Sequence, residues 1–234
     1  MDYNEYNVAI ELQPFVKCFW SLDAEAAPAI EKQRIVPDGC MEMIFHYGGL
    51  YRQYMPDGSF IIQPRCFVFG QITTPLEIAP TGISGIIAAR FHPEGFAPFA
   101  SISIGEMENK AVPLEIIFGN GAVDFKNSVL SAQTNGERIK LIEAFFINKL
   151  SLPEAADRIA RTSVEVLLSC NGQISVDELA EQLQVNRRQL ERKFSSAIGL
   201  SPKQLSKVIR LQTTLKALYQ EKSSTLTSVA YENG

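Results

Sequence analysis

Residues 174–205 read ISVDELAEQLQVNRRQLERKFSSAIGLSPKQL, and this stretch decides the architecture of the C-terminal third. From Val176 to Leu183 the apolar residues recur at i, i+3, i+4 and i+7, as one buried face of a helix requires. Ser175 and Glu178 match the capping-box pattern at the start of this helix. A second helical pattern follows after three residues, so the stretch predicts two short helices joined by a tight turn, a helix-turn-helix.

The second helix has its own start, apolar face and stop. Asn186 is a favourable N-cap, and the apolar face consists of Leu190, Phe194 and Ile198. Gly199 suits the left-handed residue that ends many helices. Pro202 then stands at the first position of a further helix of about 18 residues, which would be roughly 27 Å long.

The polar face of the second helix predicts contact with DNA. Its members recur at i, i+3, i+4 and i+7, and they are Arg188, Glu191, Arg192 and Ser195. Arginine suits a guanine edge, and a glutamate can accept from a cytosine amino group. Arg187 and Lys193 flank this face and suit phosphate contacts. An ordinary surface helix of a bundle would carry a similar pattern, and this alternative stays open at the level of pattern alone.

The charge of the chain is unevenly distributed. The formal net charge is −4, which by itself does not indicate a nucleic-acid-binding protein. Residues 1–171 hold 13 basic and 20 acidic residues, whereas residues 186–222 hold nine basic and two acidic residues. We therefore expect only the C-terminal segment to meet a polyanion. A solvated helical face is the alternative that charge alone leaves open.

The N-terminal half has the pattern of short β-strands. Turn signals such as Pro37-Asp38-Gly39 and Gly48-Gly49 separate segments rich in Ile, Val, Phe and Tyr. The predicted strands are Phe15–Leu22, Cys40–Tyr47, Leu50–Met55, Cys66–Ile72 and Ile83–Phe91. Many short strands at this spacing predict a sandwich or a small barrel.

Near residue 111 the periodicity changes to that of helices, with a capping signature at Thr134 and Glu137. The predicted fold is therefore α+β. Residues 1–150 would form a β-barrel or sandwich with trailing helices, residues 151–171 a connecting helix and hinge, and residues 172–234 an all-α helix-turn-helix domain. The apolar helical faces within 134–170 could serve a homodimer or the core of the chain itself.

Composition argues against several classes of site. The four cysteines form no C-x-x-C pair, and the two histidines, His46 and His92, are too few for the usual cupin metal site. We predict no metal, no cofactor and no catalytic residue. Cys40 with His46 as its base is a minor alternative, because a buried free thiol is the commoner case. The acidic N-terminus and the lack of any apolar run near 18 residues predict a cytoplasmic protein with no membrane contact.

A family resemblance rests on the C-terminal stretch. The pattern R-x-L-x-R-x-F-x-x-x-x-G-x-S-P, from Arg188 to Pro202, resembles the first helix-turn-helix of AraC/XylS-type transcriptional regulators. The resemblance implies a second such unit after a long helix, and residues 226–234 resemble its beginning. Because the family continues past Gly234, we expect the second unit to be truncated here. The turn residue of this family needs a positive φ, so Gln184 implies mild strain.

The N-terminal half also resembles a part of this family. The runs at 34–48, 70–71 and 88–99 resemble the sensing domain of an uncharacterised AraC-type subgroup, which implies a cupin-like barrel without naming its ligand. The candidate effector-binding residues are Trp20, Asp38, Arg90 and His92. Each also has a structural interpretation: a core Trp, a turn-forming Asp, an Arg paired with a carboxylate, and a His hydrogen-bonded near a turn.

These observations predict a sequence-specific DNA-binding transcriptional regulator that is controlled by a small-molecule effector and is not an enzyme. The predicted partners are double-stranded DNA, an unidentified effector, a second copy of the chain and, by the family resemblance, RNA polymerase. The alternative is a cupin-like binding protein or enzyme whose helical tail mediates protein contacts.

Overall fold

The computed structural model describes residues 2–25, 31–150 and 157–220. Its N-terminal part is built from antiparallel strands in two sheets. The strands are β1 (Asp2–Tyr6), β2 (Val16–Ala24), β3 (Gln33–Ile35), β4 (Glu42–His46), β5 (Tyr51–Tyr54), β6 (Phe60–Ile62), β7 (Cys66–Phe69), β8 (Leu76–Pro80), β9 (Ser84–Phe91) and β10 (Ala111–Pro113). One sheet has the order β1-β2-β9-β4-β7-β10, and the other has the order β3-β8-β5-β6.

The six-stranded sheet has two different faces because strand residues alternate between them. On β4, Met43 and Phe45 are fully buried in the main core, whereas Glu42, Ile44 and His46 point to the other side, toward the four-stranded sheet. Side chains of the neighbouring strands β2 and β9 alternate in the same way between the main core and the space between the sheets. The sheet therefore supports an apolar core on one face and a partly polar space on the other.

Three helices cover the core face of the six-stranded sheet. They are α1 (Leu114–Phe118), α2 (Gly121–Ser131) and α3 (Asn135–Leu150). Ring contacts join them to the sheet, with Phe146 of α3 lying 5.3 Å from Phe91 and 4.6 Å from Phe99 between ring centroids. The predicted capping signature before α3 is present, since Thr134 and Glu137 exchange side chain-to-backbone hydrogen bonds. The apolar face of α3 packs in the main core of the same chain.

The C-terminal part is helical. It consists of α4 (Arg158–Ser169), α5 (Val176–Gln182), α6 (Arg187–Ile198) and α7 (Pro202–Gln220). One core cluster joins all four helices, and it includes Val164 of α4, Leu179 of α5, Phe194 of α6 and Leu205 of α7. Helix α4 thus packs within the helix-turn-helix unit, although the sequence suggested a connecting helix at 151–171. We propose that the C-terminal helical domain begins at residue 157.

The local signals of the helix-turn-helix are confirmed one by one. Ser175 and Glu178 form a complete capping box at α5. The Asn186 side chain accepts a hydrogen bond from the backbone N–H of Gln189 at the start of α6. Gly199 ends α6 in the left-handed conformation, with φ of 81°. Gln184 in the turn has φ of 54°, the strained value that its position required.

The prediction of an α+β fold with the β part first is therefore confirmed. Strands β2, β4, β5, β7 and β9 correspond to the predicted ones, whereas β1, β3, β6, β8 and β10 were not predicted. The proposed second helix-turn-helix, at residues 226–234, lies outside the described residues. Among the helices in the described part of the chain, none is long and apolar enough to cross a membrane.

Candidate functional site

Helix α6 presents the predicted reading face to solvent. Leu190, Phe194 and Ile198 are fully buried and fix the helix on the core of the unit. On the opposite side Arg188 and Arg192 are exposed. Two further members of the predicted face, Glu191 and Ser195, are partly buried. The helix therefore offers two free guanidinium groups at i and i+4, which is one turn of helix.

The cations beside this face are held in ion pairs. Arg187 donates to Glu191 at 3.0 Å and to both carboxylate oxygens of Asp177 at 3.1 Å. Lys193 lies 2.8 Å from Asp157, which also caps α4 by accepting from the N–H of Ile159. The pairs of Arg187 are largely exposed, so each contributes little to stability and can be exchanged for a phosphate contact, whereas the Lys193–Asp157 pair is half-buried.

The N-terminal domain contacts α6 on a flank that is separate from the reading face. The 3-10 helix Ile104–Met107 packs against the C-terminal half of α6. Gly199 approaches Ile104 so closely that a Cβ atom there would lie 2.9 Å from its side chain. Lys193 and Ala197 line the groove on this flank, whereas Arg188 and Arg192 do not.

The second candidate site is a cavity of about 240 Å³ between the two sheets. Three of the four predicted effector-binding residues line it, namely Trp20, Asp38 and Arg90. The fourth, His92, is not among its lining residues; its backbone N–H donates to the carbonyl of Phe15 at 2.9 Å. The side chains that point inward from β2, β4 and β9 form one wall, as the alternation along these strands requires.

One end of the cavity is charged. Glu42 accepts hydrogen bonds from Arg90 Nε at 2.7 Å and from Trp20 Nε1 at 3.0 Å. The second carboxylate, that of Asp38, lies 3.8 Å from Arg90 Nε and accepts from the N–H of Cys40. Burial raises the pKa of Glu42, and Arg90 opposes this shift. Burial acts to lower the pKa of Arg90, but Glu42 and Asp38 together raise it above its ordinary value.

The other end of the cavity contains a buried histidine. His46 is 1% exposed, and its ring stacks on Tyr51 with 5.4 Å between centroids. Neither ring nitrogen makes a hydrogen bond of normal geometry with the described residues, although the Gln63 side chain lies close enough to be a weak partner of one of them. Burial lowers its pKa to about 4, and the nearby Gln63 side chain only partly opposes this shift. The imidazole is therefore neutral near pH 7, and at least one of its two ring nitrogens is left without a partner among the described residues.

A larger groove of about 550 Å³ lies elsewhere on the domain, and residues such as Arg34, Tyr54 and Glu77 line it. It is wide open to solvent, and Lys32 at its edge already pairs with Glu77 at 3.3 Å. The smaller cavity encloses a ligand better and contains unpartnered polar atoms. The smaller cavity is therefore the stronger candidate for a ligand site.

The cavity gives little support to catalysis by Cys40. The Cys40 thiol is buried, and burial raises its pKa well above the usual range, so the reactive thiolate is disfavoured. Within residues 2–25, 31–150 and 157–220, no group of three or more His, Cys, Asp and Glu side chains could hold a metal ion.

Sequence reasoning did not identify Glu42, His46, Tyr51 and Gln63 as cavity residues. For Glu42 and His46 a signal existed, because both stand on β4 at even spacing with Ile44 and so share one face. Tyr51 and Gln63 come from other segments, and only the pairing of sheets brings them to the cavity.

Comparison with known proteins adds a family model and several solved structures. Residues 4–113 match DUF6597, a domain of unknown function. That match spans less than half of the chain. A search of the curated proteins finds no match.

The similar solved structures include ToxT from Vibrio cholerae, at 11% identity over 92% of this chain and 89% of that chain, with a TM-score of 0.45. An unsaturated fatty acid-bound ToxT from the same organism matches at 10% identity, 92% and 84% coverage and a TM-score of 0.42. The AraC-like transcriptional activator CuxR matches at 12% identity, 92% and 86% coverage and a TM-score of 0.30. These values are low, so the functional interpretation rests on the residues of this chain.

His46 predicts how stability responds to acid. Its pKa falls from 6.5 in the unfolded chain to about 4 in the folded domain. The unfolded state therefore binds the proton first, and the free energy of unfolding decreases as the pH falls from about 6.5 to 4. The loss through this group should total roughly 3 kcal/mol.

We expect His46→Phe to remove this part of the acid response, because a phenyl ring can keep the stacking on Tyr51 without titrating. Urea denaturation at pH 7 and pH 4.5 measures the difference. His92→Phe is the comparison: burial also lowers the pKa of His92, but by less than that of His46, so this variant should leave most of the response in place. Equal acid responses in His46→Phe and the unaltered chain would contradict this assignment.

Proposed function

We propose that the chain is a sequence-specific DNA-binding transcriptional regulator whose N-terminal domain binds a small-molecule effector. The observation that carries the proposal is the free face of α6, where Arg188 and Arg192 are exposed on a helix that follows a tight turn. A recognition helix inserts such a face into the major groove. The N-terminal end of α6, where base contacts are made, is exposed at Asn186, Arg187 and Arg188.

A contact between the two domains supports effector control. The turn Pro37–Gly39 contributes Asp38 to the wall of the cavity, and its other side contacts α7. The Gln212 side chain of α7 donates to the carbonyl of Pro37 at 2.6 Å. Gly39 lies against Leu205 of the same helix. A ligand that moves Asp38 would therefore act directly on the helix that carries the DNA-binding unit.

Several further features belong to the same proposal. The resemblance of Arg188–Pro202 to AraC-type regulators implies double-stranded DNA and RNA polymerase as partners, action in the cytoplasm, and no enzymatic activity. A homodimer remains part of the proposal. The apolar helical faces suggested for its interface, however, pack in the cores of the chain itself. Ile142 and Phe146 of α3 and Leu167 of α4 are buried in the cores of the chain itself.

Selection from a pool of random DNA duplexes tests the proposal. The full-length protein is incubated with the pool at low salt, and the bound fraction is amplified and sequenced. We expect one short motif to be enriched, and affinity for it to fall steeply with salt as phosphate contacts are lost. An unchanged, random bound fraction would contradict sequence-specific reading and would favour the alternative of a binding protein with a helical interaction tail.

A further inference from the structure

The charged groups that line the cavity have an excess of negative charge. They are Asp38, Glu42 and Arg90. Arg90 already has Glu42 at 2.7 Å and Asp38 at 3.8 Å, so one cation faces two carboxylates. An anionic ligand at this end would be repelled by two charges and attracted by one, whereas a cation would complete the balance of charge.

Aromatic rings stand beside these carboxylates. The Tyr3 and Trp20 rings lie 6.0 Å apart between centroids, and both line the cavity. Trp20 also donates to Glu42, so its ring lies next to the carboxylate. The faces of such rings attract an ammonium group. The charged end therefore combines unbalanced negative charge with two aromatic surfaces, which suits an organic amine better than an inorganic cation.

The middle of the cavity is apolar and small. Leu22, Ile44, Ile78 and Ile86 contribute to its walls. Its volume of about 240 Å³ exceeds the roughly 150 Å³ of an engineered protein cavity that binds benzene. A single aromatic ring with short substituents at both ends fits this space.

The far end requires a second polar group. His46 is 1% exposed, it is neutral near pH 7, and the Gln63 side chain is close enough to serve at most one of its two ring nitrogens. Buried donors and acceptors are usually satisfied by a hydrogen bond. The remaining ring nitrogen of His46 therefore points to a ligand group that can hydrogen-bond with an imidazole. Glu42 and His46 are four residues apart on β4, which places their Cα atoms roughly 13 Å apart. The two polar ends are thus separated by the apolar section.

We propose that the cavity binds a small aromatic amine, with its ammonium group beside Asp38 and Glu42 and a hydroxyl group at His46. This inference specifies the effector class of the proposed function and rests on it. It disfavours carboxylate ligands of the same size, because Arg90 is already paired and the two acidic side chains would repel their charge.

Four compounds of one shape separate the possibilities. Tyramine carries the amine and the hydroxyl, phenethylamine lacks the hydroxyl, 4-hydroxyphenethyl alcohol lacks the charge, and 4-hydroxyphenylacetate reverses it. Isothermal calorimetry on the 234-residue chain should rank tyramine first, with phenethylamine and the alcohol each about tenfold weaker and the acid weakest. Tighter binding of the acid than of tyramine, or no binding of either amine at millimolar concentration, overturns the proposal.

Two substitutions check the assigned ends. Asp38→Asn keeps an acceptor for the Cys40 N–H but removes one charge, so it should weaken tyramine about tenfold and leave the neutral alcohol unchanged. His46→Phe should remove the advantage of tyramine over phenethylamine. Equal loss of all ligands in both variants would contradict specific placement. The calorimetry tests only the ligand class, and the DNA selection tests only sequence-specific DNA binding. Failure of the ligand proposal can therefore be told apart from failure of the proposed function.

Discussion

Replacing Arg188 and Arg192 together by alanine should remove the sequence preference at the base pairs that α6 reads when the full-length protein binds DNA. Both guanidinium groups are exposed on one face of α6, and no ion pair involving either is found within the described residues. A bidentate arginine–guanine contact is worth about 1–3 kcal/mol of discrimination against a wrong base. Loss of two contacts should therefore reduce affinity for the selected motif by roughly 30-fold or more, with non-specific binding largely retained.

Fluorescence anisotropy with the selected duplex and a scrambled duplex measures the ratio of the two affinities. Lys203→Ala combined with Lys207→Ala is the matched control, because it removes the same charge from exposed positions on α7. The control should weaken both duplexes evenly and keep their ratio. If the α6 variant kept the ratio as well, α6 would not be the reading helix.

The sequence was informative wherever a structural feature depends on neighbouring residues. The capping box at Ser175, the N-cap at Asn186, the left-handed Gly199 and the strained Gln184 each depend on a few adjacent positions. Chemistry within such a short stretch decides the local backbone. The helix-turn-helix and its free arginines could therefore be predicted before any tertiary contact was known.

The cavity depends on residues that are distant in the chain. Arg90 meets Glu42 because β9 pairs with β4, and the two residues are direct partners in that register. A sequence pattern gives the face of a strand but not the identity of its neighbour. Trp20, Asp38 and Arg90 were found from their chemistry, whereas Gln63 could not have been found without the pairing of the sheets.

The same reason explains the helix at 158–169. Its apolar periodicity predicts a helix with one buried face, but periodicity does not say which core receives that face. In the structure Ala160 and Val164 pack into the core of the helix-turn-helix unit. The hinge expected at the end of residues 151–171 coincides with the turn between α4 and α5, where Asn171 has φ of 50° and Gly172 has φ of 72°, and the domain boundary itself stays a prediction.

The contact between the cavity turn and α7 predicts the second large effect. Gly39 has φ of 78°, and a Cβ atom at this position would lie 2.8 Å from Leu205 Cδ1. The backbone carbonyl of Pro37, two residues earlier, accepts from Gln212. A substitution at Gly39 therefore both strains the turn and pushes on the helix, so the two domains should separate at this contact.

Gly39→Val should strongly increase hydrogen exchange in α7 near residues 205–212, because valine is disfavoured at positive φ and its side chain collides with Leu205. The strain alone should cost about 1–3 kcal/mol of unfolding free energy. Gly58→Val is the matched control, since Gly58 has φ of 83° but a Cβ atom at that position would meet nothing within 4 Å. It should cause similar strain in the N-terminal domain without changing exchange in α7.

If both variants gave the same exchange in α7, the turn at 37–39 would not couple the cavity to the DNA-binding unit. If only Gly39→Val raises it, the turn at 37–39 is mechanically coupled to α7.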